Sequence, residues 1–109
     1  MGLTKTEQFT DEQNRLAKMA KALGHPARIA ILQYLSTQES CVCGSIVKTV
    51  GLAQATVSQH LKALKDADLI QGNIEGTNTC YCVNTSRIKQ VKEQLSQLLN
   101  KCCTTSSCC

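Results

Sequence analysis

The stretch "GLAQATVSQHLKAL", residues 51–64, has a clear helical pattern of apolar residues. Its apolar residues Val57, Leu61 and Leu64 recur at intervals of four and three. That is the spacing of the buried face of an amphipathic helix. We therefore predict a helix over about residues 54–67, with Gly51 ending the element before it.

The opposite face of this helix is small and polar. A rotation of about 100° per residue turns four residues away from the apolar stripe: Ala55, Thr56, Gln59 and Lys62. Such a face can enter the DNA major groove, where glutamine pairs with adenine and methyl groups contact thymine. An ordinary solvated helix face has the same character, so this helix alone leaves both interpretations open.

The elements on either side favour DNA binding. Upstream, Ser45 is predicted to cap a short helix that ends at Gly51, leaving a turn of about three residues between two helices. Downstream, "LIQGNI" and "TCYCVN" flank the tip "EGTN", a pattern typical of a β-hairpin. A helix-turn-helix followed by a hairpin predicts a winged helix.

Helices are also predicted at both ends of the chain. Thr10 and Gln13 form a possible capping box for a first helix that runs to about Leu23, and Pro26 suits the start of a second. A last helix is predicted from about Ser86, with a seam that suits packing on a partner helix, formed by Ile88, Val91, Leu95 and Leu98. We expect a mainly α fold with a β-hairpin wing.

Length and composition restrict the class of protein. At 109 residues the chain is one domain, and its net charge of +4 is compatible with nucleic acid. We assign residues 1–100 to the winged helix-turn-helix and residues 101–109 to a flexible cysteine-rich tail. No apolar segment suits a signal peptide or a membrane span, so we expect a cytoplasmic protein with no membrane partner. In a reducing compartment the eight cysteines are predicted to be thiols that act as ligands or redox groups.

The order and spacing of several segments resemble the ArsR/SmtB family of winged-helix repressors. These are "LGHPARIAIL", "SCVC", "GLAQATVSQHLKAL", "ADLI" and "EGTNTCY", which together cover about residues 23–88. The resemblance implies double-stranded operator DNA as a partner and a homodimer joined through the first and last helices. The residues assigned to that interface are Leu16, Met19, Leu23, Ile88, Val91, Leu95 and Leu98.

Candidate DNA contacts come from the recognition helix, the lysines around it and the wing tip. The wing lacks the arginine that family members commonly carry, so phosphate contacts are expected to depend on three lysines. Ala53 also replaces the usual serine cap of the recognition helix. The full set is Lys48, Gln54, Ala55, Thr56, Ser58, Gln59, His60, Lys62, Lys65, Thr77 and Asn78.

Cys-Val-Cys at residues 41–43 resembles the arsenic- and antimony-sensing branch of the family. The resemblance implies Cys41 and Cys43 as ligands of trivalent arsenic or antimony, which would act as inducer without any organic cofactor. Soft thiolates select soft ions. Residues two apart on a helix point about 200° apart, so the pair requires non-helical backbone, which Gly44 permits. This chain departs from the family in that Gly44 is an extra residue and Val47 stands where some members carry a third cysteine.

Two other groups of cysteines compete with this pair. The tail carries a second candidate metal set, which could be the sensing site, supply a third sulfur or collect metal: Cys102, Cys103, Cys108 and Cys109. Cys80 and Cys82 project from one face of the second wing strand, where we interpret them as half-buried packing residues.

We expect a repressor that trivalent arsenic or antimony releases from its operator and that controls an arsenic-resistance operon. One alternative with the same fold is a sensor of oxidants, persulfide or another soft metal through its thiols. A more remote alternative is a protein that buffers soft metals. We do not expect an enzyme, since the chain has neither a Cys-x-x-Cys motif nor a nucleotide-binding loop.

Overall fold

The computed structural model describes residues 8–42, 44–76 and 78–104 of the chain. Within these ranges, four helices, of which the third is short, precede a hairpin and a long last helix. The elements are α1 (Asp11–Ala22), α2 (Pro26–Ser36), α3 (Ser45–Val50), α4 (Gln54–Asp66), β1 (Ile70–Glu75), β2 (Asn78–Val83) and α5 (Thr85–Thr104).

The first two helices begin as their sequences predict. The Gln13 N–H donates to the Thr10 hydroxyl at 3.1 Å, and the Thr10 N–H donates to the Gln13 side chain at 3.0 Å. This confirms the capping box of α1. Pro26 is the first residue of α2, and His25 caps that helix by accepting the Ala27 N–H on its ring Nδ1 at 3.0 Å.

The start of α3 differs from the prediction. Gly44 occupies the capping position and Ser45 is the first helical residue, with no side-chain hydrogen bond to the helix end. The Ser45 hydroxyl is instead hydrogen-bonded to the hydroxyl of Tyr34 on α2 at 2.6 Å. The hydroxyl that was predicted to cap the helix thus makes a tertiary contact. At the other end, Gly51 stops the helix in a left-handed conformation with φ of 76°, which glycine adopts without steric cost.

The hairpin is confirmed and is tighter than predicted. Its antiparallel pairs run from Ile70 opposite Val83 to Glu75 opposite Asn78, so the strands extend into the expected four-residue tip. Gly76 begins the turn with φ of 63°.

The last helix is longer than predicted. It begins at Thr85 and continues to Thr104, past residue 100, where we expected a flexible tail to begin. Cys102 and Cys103 therefore lie on the last turn of a helix, with both side chains exposed.

The core lies where α1, α2, α4 and β1 meet. The side chains that expose at most 2% are Met19, Ile31, Ile46, Val57, Leu64, Leu69, Ile70 and Cys80. The predicted inward face of α4 is confirmed, since Val57 and Leu64 belong to this group and Leu61 exposes 6%. In the described residues, no helix is both long and apolar enough to cross a membrane.

Two residues that we assigned to a dimer interface are covered by their own chain. Met19 exposes 1% and Val91 exposes 5%, and both belong to the hydrophobic core. The helical stripe on which each residue lies packs inward at that point, so these two assignments are wrong. Leu16, Leu23, Ile88 and Leu95 are half-buried against the core, and Leu98 is 46% exposed.

Candidate nucleic-acid interface and thiol pair

The face of α4 that was predicted to point outward is largely exposed in the structure. Ala55, Gln59 and Lys62 are exposed and Thr56 is half-buried, on the side opposite the core residues of the same helix. Gln54 and Ser58 are exposed beside them. A turn at residues 51–53 separates this helix from α3, against which it packs.

Lysines flank this face on both sides. Lys48 on α3 and Lys65 near the end of α4 are both exposed. The Lys65 ammonium lies over the first wing strand, 3.5 Å from the place that a side chain at Gly72 would occupy. A Cβ at Gly72 would make ordinary van der Waals contact with this cation. Thr77 and the side chain of Asn78 lie outside the described residues, so the assignment of these two to the wing-tip contacts stays a prediction.

His60 was predicted to contact DNA, but it is buried and therefore not available for that contact. It exposes 8% of its surface and lies on the inner side of α4. Its ring Nδ1 accepts the Arg28 Nε–H at 3.2 Å, and its ring centroid lies 4.3 Å from that of His25. Burial lowers the pKa of the His60 imidazole, and the nearby His25 and Arg28 lower it further. His60 thus links α4 to α2 as a neutral side chain.

The segment ahead of α3 is joined to the wing by backbone pairing. The N–H of Val42 donates to the carbonyl of Tyr81 and the N–H of Tyr81 donates to the carbonyl of Val42, each at 2.8 Å. This antiparallel bridge attaches residue 42 to the outer edge of β2. Cys41 is therefore non-helical, as a chelating thiol at this position requires.

The bridge brings Cys41 next to Cys82. In antiparallel pairing, the residue pair next to a hydrogen-bonded pair is a non-hydrogen-bonded pair, whose Cα atoms lie about 4.5 Å apart. Cys41 and Cys82 occupy that position, so the two residues are cross-strand neighbours. Interaction with the neighbouring Cys41 thiol raises the pKa of the Cys82 thiol, and burial raises it further.

An amide from β1 completes this cluster. The Asn73 Nδ2 donates to the Cys41 sulfur at 3.3 Å and lies 3.8 Å from the Cys82 sulfur. Both cysteines line a surface cleft of about 380 Å³, together with Leu35, Glu39 and Val83. We refer to Cys41 and Cys82 as the thiol pair.

Of the other candidate ligands, the two that the structure describes, Cys102 and Cys103, do not line this cleft. Cys102 and Cys103 lie at the far end of α5, and neighbouring positions on a helix point about 100° apart. Cys43, Cys108 and Cys109 lie outside the described residues. Over residues 8–42, 44–76 and 78–104, no group of three or more His, Cys, Asp or Glu side chains could hold a metal ion.

The cysteines differ in oxidation state. Cys41, Cys82 and Cys103 are free thiols, whereas Cys80, which is fully buried, is disulfide-bonded. The expectation that the cysteines are thiols is therefore wrong for Cys80. Sequence reasoning also missed Cys82 as a site residue. The alternation in "CYC" placed Cys80 and Cys82 on one face of a strand, but no local pattern showed that Val42 would pair with Tyr81.

Comparison with known proteins identifies the family. The sequence profile of the "Bacterial regulatory protein, arsR family" matches residues 25–71. An uncharacterised HTH-type transcriptional regulator of Methanocaldococcus jannaschii is 33% identical over 89 residues, which span 81% of this chain and 99% of that protein. This chain belongs to the ArsR family.

Two further ArsR-family comparisons agree with this placement. An arsenical resistance operon repressor of Staphylococcus xylosus is 30% identical over 80 residues, covering 73% of this chain and 76% of that protein. The homodimeric winged helix-turn-helix DNA-binding domain of a possible ArsR-family regulator from Mycobacterium bovis is 26% identical. It superposes with a TM-score of 0.65 over 92% of this chain and 89% of that domain. The predicted winged helix-turn-helix is thereby confirmed.

Proposed function

We propose that this ArsR-family chain is a transcriptional repressor that binds operator DNA as a homodimer and is released by trivalent arsenic or antimony. The observation that carries the proposal is the position of Cys41, a free thiol in non-helical chain directly ahead of the helix-turn-helix. A ligand bound there acts on the element that presents the recognition helix α4.

Operator binding is supported by the exposed face of α4 and the lysines around it. Base contacts are assigned to Gln54, Ala55, Thr56, Ser58 and Gln59, and phosphate contacts to Lys48, Lys62 and Lys65, all on the surface described above. The net charge of +4 adds a modest attraction to the DNA backbone. His60 is removed from this set because it is buried.

Dimerisation through α1 and α5 is supported by apolar surface left open between these helices. Leu98 is 46% exposed and Leu99 is 57% exposed on α5. Leu16 of α1 and Leu98 line one groove between the two helices. The homodimeric state of the Mycobacterium bovis domain is consistent with this assignment. Two copies would present two recognition helices to a palindromic operator.

The choice of inducer follows from ligand chemistry and from one relative. Thiolates prefer soft ions, and the Staphylococcus xylosus relative is a repressor of an arsenical resistance operon. We assign Cys41 as one ligand, retain Cys43 as a second candidate, and propose that the controlled genes confer arsenic resistance.

The energies involved are sufficient for release. Inverting operator occupancy from 99:1 to 1:99 requires roughly 5.5 kcal/mol, or about 10⁴-fold in affinity. Structural thiolate–zinc sites release about 10–16 kcal/mol, so part of a comparable coordination energy is enough.

The test is a titration of reduced protein into a fluorescent duplex taken from upstream of its own coding sequence. We expect anisotropy to report binding at 0.15 M salt and release on addition of arsenite or antimonite. Cys41→Ser should bind the duplex as the wild type does and no longer be released. If arsenite leaves the operator affinity of the wild type unchanged, the assignment of the inducer is wrong. If the protein does not bind the duplex even at low salt, the assignment as a repressor is wrong.

One observation favours a second candidate function. The Val42–Tyr81 bridge and the shared Asn73 donor place the Cys41 and Cys82 sulfurs side by side, where an oxidant could join them, so the same repressor could respond to peroxide. Peroxide oxidises the two thiols to a disulfide and is itself reduced to two water molecules. Treating the reduced protein–DNA complex with peroxide in one arm and arsenite in the other distinguishes the two inducers.

A further inference from the structure

The thiol pair has the geometry of a chelate that spans two separate parts of the chain. Cys41 lies ahead of α3 and Cys82 lies near the end of β2, and the Val42–Tyr81 bridge sets them side by side. Both thiols are free and only half-buried, so a small reagent can reach them through the adjoining cleft.

The surroundings of the pair suit a ligand with an organic part. Asn73 approaches both sulfurs from one side and can donate to a bound thiolate. Leu35 and Val83 supply apolar atoms to the cleft, against which a hydrocarbon substituent can pack. Among the described residues, no third Cys, His, Asp or Glu joins the pair to make a three-ligand metal site.

A pair of thiols suits a soft ligand that has two exchangeable bonds. A monosubstituted trivalent arsenical, R–As(OH)₂, exchanges its two hydroxyl groups for two thiols, forming two As–S bonds and releasing two water molecules. Arsenic stays trivalent, the thiol protons leave in the water, and nothing is oxidised or reduced. The third bond of arsenic is already made to carbon, so no third sulfur is needed.

We propose that Cys41 and Cys82 form a two-thiol site for monosubstituted trivalent arsenicals, which cross-link the segment ahead of α3 to the second strand of the wing. Capture itself is independent of the function proposed above, whereas its effect on DNA affinity rests on that function. The inference replaces Cys43 by Cys82 as the partner of Cys41 for this ligand class.

Phenylarsine oxide, whose hydrated form is a monosubstituted arsenical, is the probe. The tail cysteines offer competing pairs, so the background is the full chain with Cys102, Cys103, Cys108 and Cys109 changed to Ser, fully reduced. We expect one equivalent to bind with loss of two free thiols, and peptic digestion to yield one arsenic-linked pair of peptides that contain Cys41 and Cys82. This measurement needs no change at the site itself.

The variants give the quantitative test. Cys41→Ser and Cys82→Ser should each weaken binding about 100-fold, because the second bond gains from the high effective concentration of a held partner. Cys43→Ser is the matched control and should bind as the background does. Cys82→Ala serves as a second variant, and circular dichroism confirms that each variant is folded.

Two results would overturn the site: Cys82→Ser binding as tightly as the background, or a linked peptide pair that lacks Cys82. If the site fails while arsenite still releases wild-type protein from DNA, the proposed function stands. If the linked pair forms and no arsenical changes DNA affinity, the site stands and the inducer assignment fails.

Discussion

The outward face of α4 and the thiol pair are assembled in different ways. Every residue of the α4 face belongs to one helix, and the core under Val57 and Leu64 determines which side faces out. The thiol pair takes Cys41 from one segment and Cys82 from another that is 41 residues later in the chain, and a single backbone bridge brings them together. Helical periodicity therefore reveals the first region, whereas only strand pairing reveals the second.

The difference also bears on function. A face carried by one helix can be presented to DNA as a rigid unit, while a site shared by two segments changes when those segments move relative to each other. In this chain the shared site adjoins both α3 and the wing, which are the elements on either side of the recognition helix. A ligand at the pair is thus placed to alter how α4 is held.

Removing the packing beneath α4 should have the largest effect. Leu64 is fully buried, so Leu64→Ala is expected to lower the free energy of unfolding by about 2–5 kcal/mol through lost burial and a cavity. Chemical denaturation measures the loss. Leu52→Ala, at a leucine that is 38% exposed, is the matched control and should cost under about 1 kcal/mol. Equal losses would show that the inner face does not support the helix.

Removing the bridge should affect the thiol pair more than the α4 face. Val42→Pro deletes the N–H that donates to Tyr81 at 2.8 Å and should cost about 1–3 kcal/mol. We expect less cross-linking of Cys41 to Cys82 by phenylarsine oxide, with DNA affinity at most slightly reduced. Val42→Ala loses similar packing and keeps the N–H, so it should cross-link normally. Normal cross-linking of Val42→Pro would show that the bridge does not align the sulfurs.

The α4 face itself is tested at Gln59. If this exposed side chain reads a base, Gln59→Ala should weaken operator binding by about 1–3 kcal/mol, or roughly 5- to 150-fold, with little change in stability. Gln33→Ala, at an exposed glutamine on α2, is the control and should leave the affinity unchanged. Anisotropy with the same duplex measures both. A neutral Gln59→Ala would exclude this side chain from sequence recognition.

His60 should make stability depend on pH. Burial, His25 and Arg28 lower its pKa in the folded chain, whereas an unfolded histidine takes up a proton near pH 6.5. The free energy of unfolding should therefore be highest above about pH 6.5 and fall as the pH drops below it, by at most about 1.4 kcal/mol per pH unit for one proton. His60→Gln keeps an acceptor for Arg28 and should flatten this dependence. Near pH 8 the free energies of unfolding of the variant and the wild type should change with pH in parallel. An unchanged slope would contradict the assignment.

The smallest expected effect is a gain in stability from a substitution at the start of α4. Ala53 has the extended backbone of a capping residue, with φ of −60° and ψ of 147°, and makes no side-chain hydrogen bond. Ala53→Ser should raise the free energy of unfolding by about 1 kcal/mol, because its hydroxyl accepts a free N–H of the first turn. Ala53→Val cannot accept and should give no gain. Equal stability of the two variants would contradict this account.

Sequence reasoning succeeded where a structure depends on neighbouring residues. The capping box at Thr10, the stop at Gly51 and the inward stripe of α4 were all predictable, because each involves residues within a few positions of one another. It failed where distant segments compete for the same group. Tyr34 engages the hydroxyl expected to cap α3, and Arg28 and His25 hold the histidine expected to face DNA.

The order of elements, the winged helix-turn-helix and the two faces of α4 follow from the sequence, since helical and strand periodicities and turn residues are local properties. Which thiols meet is a matter of tertiary packing, because the pairing of Val42 with Tyr81 depends on how α3 and the wing pack around the common core. The same packing placed Met19 and Val91 inside the chain rather than on a partner-facing surface. A stripe of apolar residues specifies that a surface is covered, and only the folded chain shows what covers it.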